Sequence, residues 1–148
     1  MIMPIKSPIT VKIIQTGADM QAALRIRQIV FVEEQQVDPE IEYDEFEDSA
    51  THVIASIDGI PVGTARWRIS QDAYKLERFA VLASHRGLGI GAALVSFVLR
   101  QLEPGRTIYL NSQESALKFY AKLGFTAVGD RFYEANIPHF KMIHTSKK

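Results

Sequence analysis

An α/β (α+β) layered domain built on a mixed sheet is the fold class this sequence predicts, and three observations predict it. Extended runs rich in β-branched and aromatic residues are interspersed with helical segments. The early extended runs are joined by short polar turns, which makes antiparallel neighbours of them. Further on, a strand passes through a glycine-rich turn directly into an amphipathic helix.

Taken in order, Val11-Lys12-Ile13-Ile14 reads as the first strand. Asp19 can then cap a helix that starts near residue 19 and carries Met20, Leu24, Ile26 and Ile29 as apolar positions. Pro39 and an acidic run predict an irregular connection to a second strand, His52 to Ile57, which Asp58-Gly59 folds as a hairpin onto Ile60 to Ile69. The tract Ser70-Gln71-Asp72 separates these from another extended run, Leu76 to Leu82. From Gly91, AALVSFVLRQL places Leu94, Val95, Val98, Leu99 and Leu102 at helical spacing and stops before Pro104-Gly105. Thr107 to Leu110 is a short buried-type strand, and Ser115 to Lys122 is helical with Gly124 as its C-terminal cap. Phe125 to Val128 is extended, and a last strand lies near Phe140 to Ile143. No repeat, linker or low-complexity tract breaks the order, so residues 1–148 are expected to form one domain.

The 17 Lys and Arg residues balance 17 Asp and Glu, which removes the strongly basic footprint of a nucleic-acid binder. No apolar run reaches the length of a membrane span, and MIMPIKSPIT shows no secretory signal. Without cysteine there is no disulfide framework, thiolate nucleophile or cysteine zinc site. A cytoplasmic protein without nucleic-acid, membrane or metal partners is expected; the sequence leaves a homodimer open. The charge is unevenly placed, since nine acidic residues and no Lys or Arg lie between Glu33 and Asp48.

The strongest local signal is LERFAVLASHRGLGIGAALVSFVL. Glycines allow positive φ and bring backbone N–H groups close to a ligand, while a helix N-terminus offers unpaired donors and partial positive charge. A phosphate is the natural occupant of Arg86-Gly87-Leu88-Gly89-Ile90-Gly91. The spacing is neither G-x-G-x-x-G nor a Walker loop ending in Lys and Ser or Thr, so hydride transfer and nucleotide hydrolysis lose support. The plainer reading is a tight strand-to-helix turn.

Here the chain resembles the GNAT superfamily of acyltransferases, whose cofactor motif is Gln or Arg, two residues, Gly, one residue, then Gly or Ala. Arg86, Gly89 and Gly91 match it. The resemblance implies a GNAT-like, mostly antiparallel central sheet flanked by helices, with acetyl-CoA (coenzyme A) as acyl donor. It also implies that the backbone of Phe79, Ala80 and Val81 pairs with the pantetheine amides. The segment ALKFYAKLGF resembles the superfamily's later helix and places Tyr120 where a side chain often protonates the departing thiolate. The Asn that commonly precedes this helix aligns with Gln113, while Asn111 stands two positions earlier; either amide could contact the cofactor, with Gln113 ranked first. The stretch from Ile26 to Ala55, with V-F-V-x-E-Q inside it, looks like the subgroup typified by the YjcF and ElaA proteins.

The implied activity is transfer of an acetyl group to a primary amine, on a small molecule or a peptide, without a covalent enzyme intermediate. An amine of pKa about 10.4 must lose a proton before it attacks, so a base is needed. Glu77 is the first candidate, on the same face as Phe79 and Val81 if a period of two holds. A simple ion pair with Arg78 is its alternative reading. Glu33 and Glu34 follow the first helix, where the superfamily commonly forms its acceptor pocket, and the acidic run favours a cationic acceptor. His139 suits a proton relay, although a lone histidine on a late strand is more often structural or surface-bound. Tyr120, for its part, could be core packing rather than the acid.

Overall fold

The computed structural model describes residues 7–145. Residues 1–6, most of the stretch read for a leader, lie outside the described residues, as do 146–148. Among the described residues seven strands form one sheet: β1 (Ile9–Ile13), β2 (Thr51–Ile57), β3 (Ile60–Ser70), β4 (Ala73–Val81), β5 (Ile108–Gln113), β6 (Phe125–Glu134) and β7 (Ile137–His144). Their order is β1-β2-β3-β4-β5-β7-β6. Every pairing is antiparallel except β4 with β5.

Three two-residue turns drive the hairpins. Asp58-Gly59, Gln71-Asp72 and Ala135-Asn136 all hold both residues at positive φ, the geometry whose twist matches that of the flanking strands. Asp-Gly advertises such a turn in the sequence; Gln-Asp and Ala-Asn do so weakly, which is why β4 and β7 begin earlier than their apolar runs suggest.

The helices are α1 (Gly17–Arg27), α2 (Pro39–Glu42), α3 (Ile90–Gln101) and α4 (Leu117–Ala121). Thr16, rather than Asp19, caps α1: its hydroxyl accepts the Asp19 N–H at 3.1 Å. The buried residues of α1 are Ala23, Ile26 and Arg27. An arginine among them blurs the hydropathy pattern, so the positions Met20, Leu24 and Ile29 are not the buried ones. The helix then widens into a π-helical stretch, Gln28–Glu34, and α2 forms inside the acidic run with Asp38 as its cap. Neither element is legible from periodicity.

The main core lies between the sheet and α3. Ile90, Leu94, Val95 and Val98 are buried against Val53, Ala55, Val62, Ala65 and Leu76, each large side chain contributing about 1.5–3 kcal/mol. On the opposite face a smaller cluster, Ile26, Val30 and Phe31, packs on Ala80.

Candidate active site

The site begins with one extra residue in β4. Thr64 pairs with Ala80 and Arg66 with Glu77, so Arg78 and Phe79 together oppose Ala65. This is a β-bulge, which bends and twists its strand, and Arg78 takes a positive φ of 61° to make it. The parallel pairing of β4 with β5 consists of Tyr74–Ile108, Lys75–Tyr109 and Leu76–Leu110. Beyond Leu76 the two strands diverge. Leu82 N–H is turned to the Val62 carbonyl on the β3 side, at 2.9 Å. Strand alternation therefore turns the N–H groups of Val81 and Phe79 toward the side from which β5 has departed.

A cavity of about 570 Å³ fills the divergence. Phe79, Ala80, Val81, Arg86, Gln113 and Tyr120 line it, as do Glu77 and His139. Tyr120 is 8% exposed and meets Phe79, Phe119 and Phe125 edge-on at 6.0, 4.9 and 5.9 Å. Burial pushes its phenol well above the ordinary value, so it remains protonated at neutral pH and able to donate. His139 Nδ1 lies 2.7 Å from the Ile137 carbonyl. A carbonyl only accepts, so Nδ1 carries the hydrogen, and in the neutral ring the lone pair is on Nε2. Glu134 Oε1 stands 3.8 Å from that Nε2.

Glu77 lies on the opposite face from Phe79 and Val81, because the bulge breaks the period of two between them. Phe79 and Val81 pack toward the α3 core, whereas Glu77 reaches Arg66, Arg68 and Lys75 at 2.7, 2.8 and 3.3 Å. The expected Glu77–Arg78 pair is replaced. Arg78 Nε instead lies 2.7 Å from Glu42 Oε2, and its Nη2 lies 3.1 Å from Asp44. Burial resists ionisation of Glu77, yet the surrounding Arg66, Lys75 and Arg68 hold its carboxyl below the usual range.

These pairs belong to a larger clasp that ties the acidic run to the sheet. Arg27, 1% exposed, donates to Glu42 and to Glu47. Arg66, fully buried, forks onto Asp44 at 3.0 and 2.7 Å. Burial opposes it, but the Arg66 hydrogen bonds, the Phe46 N–H and nearby charge hold Asp44 down to about 2. The negative charge of Glu42, Asp44 and Glu47 is thus neutralised inside the fold, so these three carboxylates are committed to arginines.

Gly87 and Gly89 adopt φ of 81° and 87°, and a Cβ on either would meet nothing within 4 Å. That is an open cradle at the start of α3 which only a φ-permissive residue suits. Gly91 has a different reason: a Cβ there would lie 3.0 Å from the Phe119 ring, so it serves the contact between α3 and α4. Ile90 is buried and Leu88 is 40% exposed. Arg86 Nε donates to the Val81 carbonyl at 2.9 Å, and its two Nη atoms grip Glu34 at 2.6 and 2.7 Å. This hydrogen-bonded fork lowers the Glu34 pKa. Neither Glu33 nor Glu34 lines the cavity.

Residues 21–146 match the family described as an acetyltransferase (GNAT) domain. The chain belongs to the GNAT acetyltransferase family. It is 40% identical to the Bacillus subtilis protein YyaT over 137 residues, covering 89% of this chain and 93% of that one. It is 36% identical to the B. subtilis N-acetyltransferase YjcF over 127 residues, covering 84% and 91%. The crystal structure of Escherichia coli ElaA superposes with a TM-score of 0.82 at 26% identity, over 93% of this chain and 99% of ElaA. This GNAT domain is an acyl-CoA-dependent N-acyltransferase, and its sheet is the mixed, mostly antiparallel one the resemblance implied.

Several cavity residues of the GNAT domain escape sequence reasoning. Arg68 and Lys75 line the cavity on β3 and β4, and Glu134 faces it from β6. Alternation along each strand signals which way they point, but only the folded sheet shows that these strands share one cleft. Gln113 also reaches across the cleft, its Nε2 donating to Gln35 Oε1 at 2.8 Å.

Proposed function

We propose that residues 1–148 act as one N-acetyltransferase domain that moves an acetyl group from acetyl-CoA to a primary amine by direct attack. The observation that carries this reading is the divergence of β4 from β5 beside the open glycine cradle, with Tyr120 and His139 on the same cavity. The diphosphate of the donor sits on Gly87–Gly89 and the α3 N-terminus, and its pantetheine arm lies along Phe79–Val81.

His139 Nε2 takes a proton from the acceptor ammonium, directly or through water. The neutral amine attacks the thioester carbonyl, whose developing oxyanion is met by the Val81 N–H. The carbon–sulfur bond breaks, and the Tyr120 phenol gives its proton to the departing thiolate. The nitrogen, which keeps one extra proton after the attack, releases it to solvent; solvent returns a proton to Tyr120 and takes up the one held by His139. Glu77 and Glu34 are weaker bases here because arginines already hold their carboxylates in the ionised form. Gln113, at the end of β5, is placed to hydrogen-bond the donor arm.

Calorimetric titration with acetyl-CoA, paired with a thiol-release assay over an amine panel, tests the reading. Saturable binding and release of free coenzyme A with at least one amine class are expected. In a folded Gly89→Glu protein, acetyl-CoA affinity should fall at least about tenfold, since a carboxylate enters the anion cradle at a positive-φ site. Unchanged affinity in that variant would sink the placement of the diphosphate.

A further inference from the structure

The clasp on the acceptor side is not neutral. Arg27, Arg66, Arg68, Lys75 and Arg78 meet Glu42, Asp44, Glu47 and Glu77, five cations against four carboxylates. The imbalance falls on one carboxylate. Glu77 alone is shared by Arg66, Arg68 and Lys75.

Arg66 satisfies itself with Asp44 as well, but Arg68 and Lys75 have Glu77 as their only carboxylate among the described residues. Arg68 contributes just its Nε, at 2.8 Å. Its two Nη groups find no acceptor among the described residues, and the guanidinium carbon lies 3.6 Å from the centre of the Phe46 ring. Both side chains are largely buried, 13% and 18% exposed, and both line the cavity. A cation kept in a partly dry cleft is costly unless an anion meets it. A guanidinium fork with a lysine beside it has the geometry that takes a carboxylate or phosphate.

This charge is not for the donor diphosphate. Lys75 lies near the start of β4 and the glycine cradle follows its end, so the length of the strand, roughly 20 Å or more, separates them. The step where β4 and β5 part lies between the two.

On the acyl-transfer reading above, we infer that the acceptor is an amine that also carries an oxyanion, a carboxylate in the first instance, docked on the Arg68 Nη edge and the Lys75 ammonium. The amine end, carried on a linker that follows the strand, points along the cleft toward Val81 and His139. The preference thus runs opposite to the cationic acceptor that the acidic run suggests.

The whole chain saturated with coenzyme A is titrated calorimetrically with ω-amino carboxylates from glycine to 6-aminohexanoate, with their primary amides, with matched diamines and with 6-aminohexyl phosphate. At least one carboxylate should bind about tenfold or more tighter than its amide, and diamines should bind most weakly. The phosphate arm separates a carboxylate site from a general oxyanion site. Arg68→Gln and Lys75→Gln should each erase the carboxylate-over-amide preference while acetyl-CoA affinity stays at the parent value; Arg68→Lys should restore part of it. Equal binding of carboxylate and amide, a preference for diamines, or absence of any binding by the anionic amines to a protein that takes up acetyl-CoA would overturn the inference. Failure to take up acetyl-CoA at all would instead strike the acyl-transfer reading on which it rests.

Discussion

The two walls of the cleft are built from different materials. On the proposed reading the donor wall is backbone: the N–H groups of Phe79 and Val81, and two glycines at positive φ with open space where a side chain would be. The acceptor wall is side chains, an interlocked set of arginines and carboxylates on β3, β4 and the acidic run. Backbone donors recognise a diphosphate and amides whatever the neighbouring residues are, whereas the acceptor wall changes its chemistry with each substitution. The proposed function thus puts a fixed donor on the generic wall and acceptor choice on the specific one.

Breaking the acceptor wall should have the largest effect on stability. Arg66→Ala leaves Asp44 and Glu77 without their buried partner, and a loss of about 3–5 kcal/mol in urea unfolding is expected. A loss below about 1 kcal/mol would show the clasp to be a surface-like network.

Between the walls, Tyr120→Phe keeps the aromatic packing and removes the proton donor. The chemical step in single-turnover kinetics should slow by about 10²-fold or more, with acetyl-CoA affinity near the parent value. A rate indistinguishable from the parent removes Tyr120 from the acid role and leaves it a packing residue.

Acid should weaken the acceptor wall before it weakens the donor wall. Asp44 has its carboxyl held at about 2 against an ordinary 3.8, and Glu77 and Glu47 are shifted the same way. A folded pKa below the unfolded one gives stability that is present above the unfolded value and lost as pH falls toward the folded one. Urea midpoints should therefore drop progressively from about pH 4.5 toward about pH 2. In an Asp44→Asn protein the same drop should be shallower.

The smallest effect is expected at the rim. Glu34→Gln loosens the exposed fork to Arg86, for which a stability change under about 1 kcal/mol is expected. A larger loss would mean that the fork, through Arg86 and the Val81 carbonyl, also holds the end of β4 in place.

Local features carried most of the fold into view. Asp58-Gly59 announces a hairpin, the spacing of Leu94, Val95 and Val98 announces α3, and the three glycines announce a turn with room for a ligand. Glu77 shows where such reasoning stops. A period of two assigns it to the face of Phe79, and one inserted residue at Arg78 reverses that assignment. The bulge has no glycine to mark it, because contacts from Glu42 and Asp44, more than thirty residues away in sequence, hold Arg78 at positive φ.

The sequence alone determined the order of the strands, the main helix α3, the glycine cradle and the aromatic pair Phe119-Tyr120 further along the chain, since each depends on residues close together in the chain. Tertiary structure decided that Glu42, Asp44 and Glu47 of the acidic run are neutralised inside the fold, that two strands part to make a cleft, and that Arg68 and Lys75 share one carboxylate. Coulomb forces and strand pairing join residues across the whole chain, and a charge reveals its partner only once the backbone has brought the two together.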